Sequence, residues 1–133
     1  MKISIIVPIS DNYKYADRAI ISLINQTYKN IEILICLNGN SHTYNKKIIK
    51  KFSSFKKIIF YIKKKKDIVD ALNLLTDKAK GQFIARLDCD DVSSPTRIEN
   101  QLKKVREDNL QFLSTDGEVV DYKFDKIYYH KTN

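Results

Sequence analysis

Phe83-Ile84-Ala85-Arg86-Leu87-Asp88-Cys89-Asp90-Asp91 is an apolar run that ends in three carboxylates within four residues. The first part suits a buried strand. The second does not suit burial, because like charges this close repel and are costly to desolvate unpaired. The aspartates are therefore expected at a strand end, facing solvent, hydrogen-bond donors or a cation. A hard divalent ion prefers oxygen ligands and would neutralise the repulsion. The plainer account is an acidic turn in which Asp91 caps the next helix, and the surrounding chain has to separate the two.

Upstream, Ile3 to Val7 is a β-branched run stopped by Pro8, the pattern of a strand buried on both faces. A turn at Ser10-Asp11-Asn12 leads into Tyr15 to Asn25, where Ala16, Ala19, Ile20, Leu23 and Ile24 recur with a helical period. Ile31 to Leu37 predicts a second strand, ended by Asn38-Gly39-Asn40. A basic helix over Tyr44 to Phe52, a strand over Ile58 to Ile62 and a helix over Asp67 to Ala79 follow, with Gly81 as the stop of that helix. Gln82 to Leu87 is the fourth strand, and Pro95 opens a helix running to about Glu107.

Strand and helix alternate four times, which predicts an α/β fold with a mostly parallel sheet and helices on both faces. Right-handed crossovers bring the C-terminal ends of all four strands to one edge, where ligands bind in open sheets of this kind. Pro8 to Asp11, Leu37 to Asn40 and Asp88 to Asp91 then share a crevice, which favours a binding site over a capping turn. Beyond Asn109 the pattern changes. Leu110 to Ser114 reads as a fifth strand, and Glu118 to Tyr122 with Lys126 to His130 as short strands or a hairpin.

The 133 residues suffice for one core and predict a single domain over 1–133. No apolar run approaches the roughly 20 residues of a membrane span. The first residues are too short and too β-branched for a secretory signal. Cys36 and Cys89 sit in or beside apolar runs, which suggests free thiols in a reducing compartment, and a cytoplasmic location is expected. The net charge of +8, from 24 Lys and Arg against 16 Asp and Glu, implies attraction to anions. Much of the excess lies in Lys46, Lys47, Lys50, Lys51, Lys56, Lys57 and Lys63 to Lys66, which as a solvated face needs no ligand. No Arg-rich helix, aromatic-basic ribbon or zinc-finger spacing points to specific nucleic-acid recognition.

These residues resemble the family 2 glycosyltransferases of the GT-A fold, a Rossmann-like architecture. The resemblance runs from Ile3-Ser4-Ile5-Ile6-Val7-Pro8 through Ala19-Ile20, Ser22-Leu23 and Asn25-Gln26-Thr27-Tyr28 to Asn30-Ile31-Glu32-Ile33. It is strongest in Ala71-Leu72-Asn73 and in Ala79 to Asp91, and continues through Pro95, Arg97 and Gln101. It implies transfer of a sugar from a nucleoside diphosphate, UDP being the expected base carrier. The acidic motif, here Asp88, Asp90 and Asp91, would hold Mg²⁺ or Mn²⁺ across the two phosphates. By position, the nucleotide-sugar contacts are Pro8, Ile9, Ser10, Asp11, Asn38, Arg86, Asp88 and Asp90. Lys65 or Lys66 would add charge near the phosphates, with a solvated lysine as the plainer account.

The sequence departs from the family in three places. Leu37-Asn38 stands where two aspartates are usual, although Asn38 offers an acceptor and donors to a uracil edge. Ile9-Ser10-Asp11 replaces a Thr-Tyr-Asn type of turn, and Lys66-Asp67 stands in for a flexible Asn-X-Gly. Family members also continue further, with an acceptor pocket and a carboxylate general base. No residue after Gln101 matches that base, so the catalytic residue is unassigned. Asp116, Glu118, Asp121 and Asp125 read as surface turn residues. The acceptor, whether glycan, lipid-linked or protein, is not specified. The alternative from another class is a catalytically silent nucleotide-sugar-binding or assembly module. Leu110, Phe112, Leu113, Tyr128 and Tyr129 lack an evident cover, which raises a homodimer through the C-terminal segment.

Overall fold

Two aliphatic runs make the centre of the molecule. β1 (Ile3–Ile9) and β2 (Ile31–Asn38) are buried at every position, as their unbroken apolar sequence requires. They pair in parallel from Ile3 with Ile31 to Ile9 with Leu37. β3 (Ile58–Lys63) adds to the outer side of β2, and β4 (Phe83–Arg86) to the free side of β1, both parallel. The strand order is β3-β2-β1-β4. The structure is a computed structural model that describes residues 1–131, and of residues 127–130 the backbone alone.

The helices fall where the periodicity puts them: α1 (Ala16–Ile24), α2 (His42–Phe52), α3 (Ile68–Lys78) and α4 (Arg97–Glu107). Ser41 caps α2, its hydroxyl accepting from Tyr44 N–H at 3.2 Å. Asp67 caps α3 by accepting from Val69 and Asp70 N–H groups at 3.0 and 3.1 Å. Ala71 and Leu75 of α3 pack on Ile6, Leu34 and Cys36. The alternate residues Ile5, Val7, Ile33 and Ile35 point to the other face, where right-handed crossovers put α1 and α2. Lys51 of α2 reaches Asp17 of α1 at 2.8 Å, so the two helices are neighbours. The helices therefore cover both faces.

Two details correct the sequence-based expectations. Gly81 does not cap α3; Ala79 does. A Cβ on Gly81 would lie 2.5 Å from Ser4 N and 2.8 Å from Lys2 O, so glycine is needed there for close approach to β1. Leu110 to Ser114 forms no strand. Asn109 adopts a left-handed conformation (φ 51°), and Leu110 N–H donates back to Val105 O at 2.9 Å. This closes α4 in a Schellman turn, which uses up the donor that a strand would need. Phe112 beyond it is 84% exposed.

The chain divides into two compact units, Met1–Glu99 and Asn100–Asn133. The first holds the four-stranded sheet. The second holds an antiparallel pair, β5 (Gly117–Val120) with β6 (Lys126–His130), as the hairpin reading predicts. The side chains of Tyr128 and Tyr129, invoked for a dimer, lie outside the described residues. Among the described residues no helix is long and apolar enough to cross a membrane.

Candidate functional site

The site is built from turns that leave the sheet at its C-terminal edge. β1 ends at Ile9; Ser10 follows, and Asp11 and Asn12 then make a tight reversal, both with positive φ (59° and 48°). Aspartate and asparagine tolerate that conformation better than most residues. The turn is braced from the neighbouring strand end. Asn40 accepts from Asn12 N–H at 2.9 Å and donates to Ile9 O at 2.8 Å, while Asn12 accepts from Ser41 N–H at 2.8 Å. The turns after β1 and β2 are thus pinned to each other by two asparagine side chains, Asn40 reaching the backbone of the β1 turn and Asn12 the backbone of Ser41. The sequence showed both as turn residues; their mutual bonding depends on strand order, which local composition does not encode.

Asn38, at the end of β2, is 1% exposed, and its carbonyl accepts from Asp67 N–H at 3.0 Å. It sets the start of α3. Leu37 beside it is fully buried. Gly39 (φ 75°) is overlaid by Lys66, whose Cβ would come within 2.6 Å of a Cβ there. That close approach carries the Lys66 ammonium to Asp11, which it meets at 2.7 and 2.8 Å on the two carboxylate oxygens. The hydrogen bond from Lys66 holds the Asp11 carboxyl below its ordinary range. Lys66 is therefore tied to the turn after β1, and among the described residues Lys65 shows no such contact.

The acidic turn follows β4. Leu87 N–H still pairs with Ile6 O at 3.1 Å, and the chain then reverses with Asp91 N–H donating to Asp88 O at 3.1 Å. Arg86 Nε holds Asp88 at 2.9 Å. The Arg97 guanidinium donates to Arg86 O at 3.0 Å, fixing the strand end. Burial raises the Asp91 carboxyl above its usual range, and repulsion from Asp90 and Asp88 adds to this against the opposing pull of Arg97 and Arg86. α4 begins at Arg97, so Asp91 does not cap it.

The turn after β4 lies against the turn after β1. Cys89 is half-buried and free; burial raises its thiol, partly offset by the Ser10 backbone N–H that donates toward it. Burial raises the Tyr13 phenol, with Asp90 as the next contributor. Tyr44, which donates to Tyr13 O at 2.7 Å, is pushed up to about 12 by burial, with Cys89 and Asp17 adding to it. Tyr13 and Tyr44 escaped the sequence reading because nothing local distinguishes a site tyrosine from a packing one. The structure thus brings Ser10 beside Cys89 and Tyr13 near Asp90, while Asp11 turns to Lys66. Pro8 and Ile9 stay in the buried strand as backbone. Among the described residues, no three His, Cys, Asp or Glu side chains converge to hold a metal ion.

The segment after the acidic turn is fastened by Gln26, which is fully buried. Its amide nitrogen lies 2.7 to 3.1 Å from Ser94 O, Ser93 Oγ and Ser22 O, and its carbonyl accepts from Ile98 N–H at 3.1 Å. Ser22 Oγ accepts from Ser93 N–H at 3.0 Å.

A four-stranded parallel sheet with polar turns gathered at its carboxyl edge is the architecture of a nucleotide-binding α/β domain. The sequence profile of glycosyl transferase family 2 matches residues 4–133, and the chain belongs to that family. It is 33% identical over 120 residues to the O-antigen biosynthesis glycosyltransferase WbnJ of Escherichia coli, covering 90% of this chain and 47% of WbnJ. It is 32% identical over 120 residues to an uncharacterised glycosyltransferase of Rickettsia bellii, covering 90% of this chain and 17% of that protein. The chain thus spans less than half the length of either relative. The fold is that of S. aureus TarS 1-349, solved in complex with UDP: TM-score 0.73 at 19% identity, over 90% of this chain and 42% of that one. The mannosyltransferase PcManGT of Pyrobaculum calidifontis, solved with GDP-Man and Mn²⁺, gives a TM-score of 0.72 at 12% identity, over 90% and 36%. The fold is therefore the GT-A fold expected from the sequence.

Proposed function

We propose that this chain is the donor-binding part of a glycosyltransferase. It takes a nucleoside-diphosphate sugar, UDP-linked, at the C-terminal edge of its sheet for transfer to an acceptor. One observation carries the reading: β1 and β4 are neighbouring parallel strands whose following turns leave the sheet at the same edge, and Asn40 and Asn12 tie the β1 turn to the end of β2. The complexes of TarS with UDP and of PcManGT with GDP-Man support the donor class.

The donor set suits a hard divalent cation, since it consists of carboxylate oxygens. Mg²⁺-like ions are commonly held by one or two carboxylates plus substrate phosphates rather than by an all-protein cage. That fits a turn whose carboxylates repel one another without forming a three-ligand cluster. Asp90 and Asp91, with Asp88, would hold Mg²⁺ or Mn²⁺ jointly with the diphosphate. A bound divalent ion stabilises the charge that builds on the leaving diphosphate. The chain's own residues orient the rest. Arg86 aims Asp88, Arg97 fixes the end of β4, and Lys66 places a cation beside the β1 turn.

Calorimetric titration of UDP with and without Mn²⁺ tests the proposal. The parent chain should bind UDP more tightly with the metal, and Asp90→Ala and Asp91→Ala should lose that metal dependence. Titrations that are metal-independent and the same in all three proteins would sink it.

A further inference from the structure

A cavity of about 370 Å³ opens at the other edge of the sheet, where the strands begin. Its volume lies in the lower part of the range of roughly 300–1,000 Å³ typical of small-molecule sites. Its apolar wall is Ile24 at the end of α1, Ile31 and Ile33 of β2, Ile58 of β3, and Phe55. Phe55 is 41% exposed although its ring pairs with that of Phe52. Ile31 and Ile33 are themselves buried, so the apolar surface left open here is chiefly that of Phe55, and a matching ligand would recover the free energy of covering it.

The rim is cationic. Lys29, Lys56 and Lys57 line the cavity, and no carboxylate does. Lys29 Nζ donates to Gln26 O at 2.8 Å. Lys57 Nζ donates to Lys29 O, reaching from the chain before β3 to the chain before β2. Each ammonium has three donors, so a lysine fixed by one carbonyl keeps capacity for an anion. Core packing explains the isoleucines; Lys29 and Lys57 each use one donor on a backbone carbonyl, and among the described residues the lining holds no carboxylate to balance the three lysines.

We propose that this cavity binds an amphiphilic anion, a carboxylate or phosphate carried on a short apolar tail. The tail fills the space between Ile24, Ile33 and Phe55, and the head group meets Lys29, Lys56 and Lys57. The ligand is a dissolved monomer and not a bilayer, because the surface is concave; helices that lie on membranes present a protruding apolar face. The site is independent of the donor crevice, which lies at the opposite end of the strands.

Octanoate titrated into the isotopically labelled 133-residue chain, followed by amide NMR, is the test, with octanol and inorganic phosphate as separate probes. Shifts should be confined to residues 24–33 and 54–58. Octanoate should bind about tenfold more tightly than octanol, as a charge-assisted contact implies. Lys56→Glu, with Lys57→Glu as a second variant, should bring octanoate down to the level of octanol and leave octanol binding unchanged. Equal affinities for the two probes, or shifts lying elsewhere, would overturn the proposal. So would anionic vesicles that sediment the chain without competition from octanoate.

Discussion

The two edges of the sheet treat their carboxylates in opposite ways. Where the strands begin, Glu32 is buried and fully engaged. Ser4 Oγ donates to it at 2.6 Å, Lys80 N–H at 2.7 Å and Lys2 Nζ at 2.6 Å. Burial alone would raise its carboxyl, but these donors outweigh it and leave it below the ordinary range. Where the strands end, Asp91 sits above its ordinary range, raised by burial and by the carboxylates beside it. One edge spends its carboxylate on holding the fold. At the other, Asp11 and Asp88 are paired with Lys66 and Arg86, but repulsion within the acidic turn still holds Asp91 above its ordinary range, as at a site that takes a cation.

Breaking the first edge should cost the most stability. Gln26→Leu keeps the volume and strands Ser94 O and Ile98 N–H without partners. It should lower unfolding free energy by about 2–4 kcal/mol, measured by urea denaturation. Gly81→Val forces a side chain against the β1 backbone. It should cost about 1–3 kcal/mol by the same measurement, with a lowered Tm. Glu32→Gln should cost about 1–2 kcal/mol at neutral pH. A carboxyl with a lowered folded pKa adds stability that is complete above its unfolded value and fades as pH falls through the folded one. The parent should therefore lose stability below about pH 4.5, the ordinary value for Glu32, and Glu32→Gln should lose less over that range.

The smallest effect sharpens the contrast because its sign reverses. Asp91 has a raised pKa, so its ionised form weakens the fold above that pKa, and the penalty is relieved as pH falls. Asp91→Asn should leave the unfolding free energy unchanged or raise it by less than about 1 kcal/mol, because solvent screens a turn that is only partly shielded. A marked loss of stability in that variant would place Asp91 with Glu32 as a structural group.

How far the sequence disclosed this depends on the reach of each interaction. The strands and helices were legible because burial on one or both faces leaves a local period. The aspartates were legible because three like charges after an apolar run have few places to go. Asn38 reads in the sequence as able to meet a uracil edge; that its carbonyl accepts from Asp67 N–H was not legible, because the partner is 29 residues away, beyond any local pattern. The Asn12–Asn40 brace and the Gln26 network are long-range for the same reason. Leu110 to Ser114 failed as a strand because Asn109 turned the chain back on α4 first.

Gln26 also bears on the order in which the molecule comes together. Its partners on the far side of the acidic turn lie 67 to 72 residues along the chain. Closing so long a loop is entropically costly until intervening contacts shorten it. β1, α1 and β2 are near neighbours in sequence, whereas docking the segment from Ser93 to Ile98 on Gln26 closes a much longer loop, at lower entropic cost once β4 pairs with β1. The acidic turn is therefore spanned by two long-range ties, β4 on β1 before it and Gln26 on Ser94 and Ile98 after it, and depends on both.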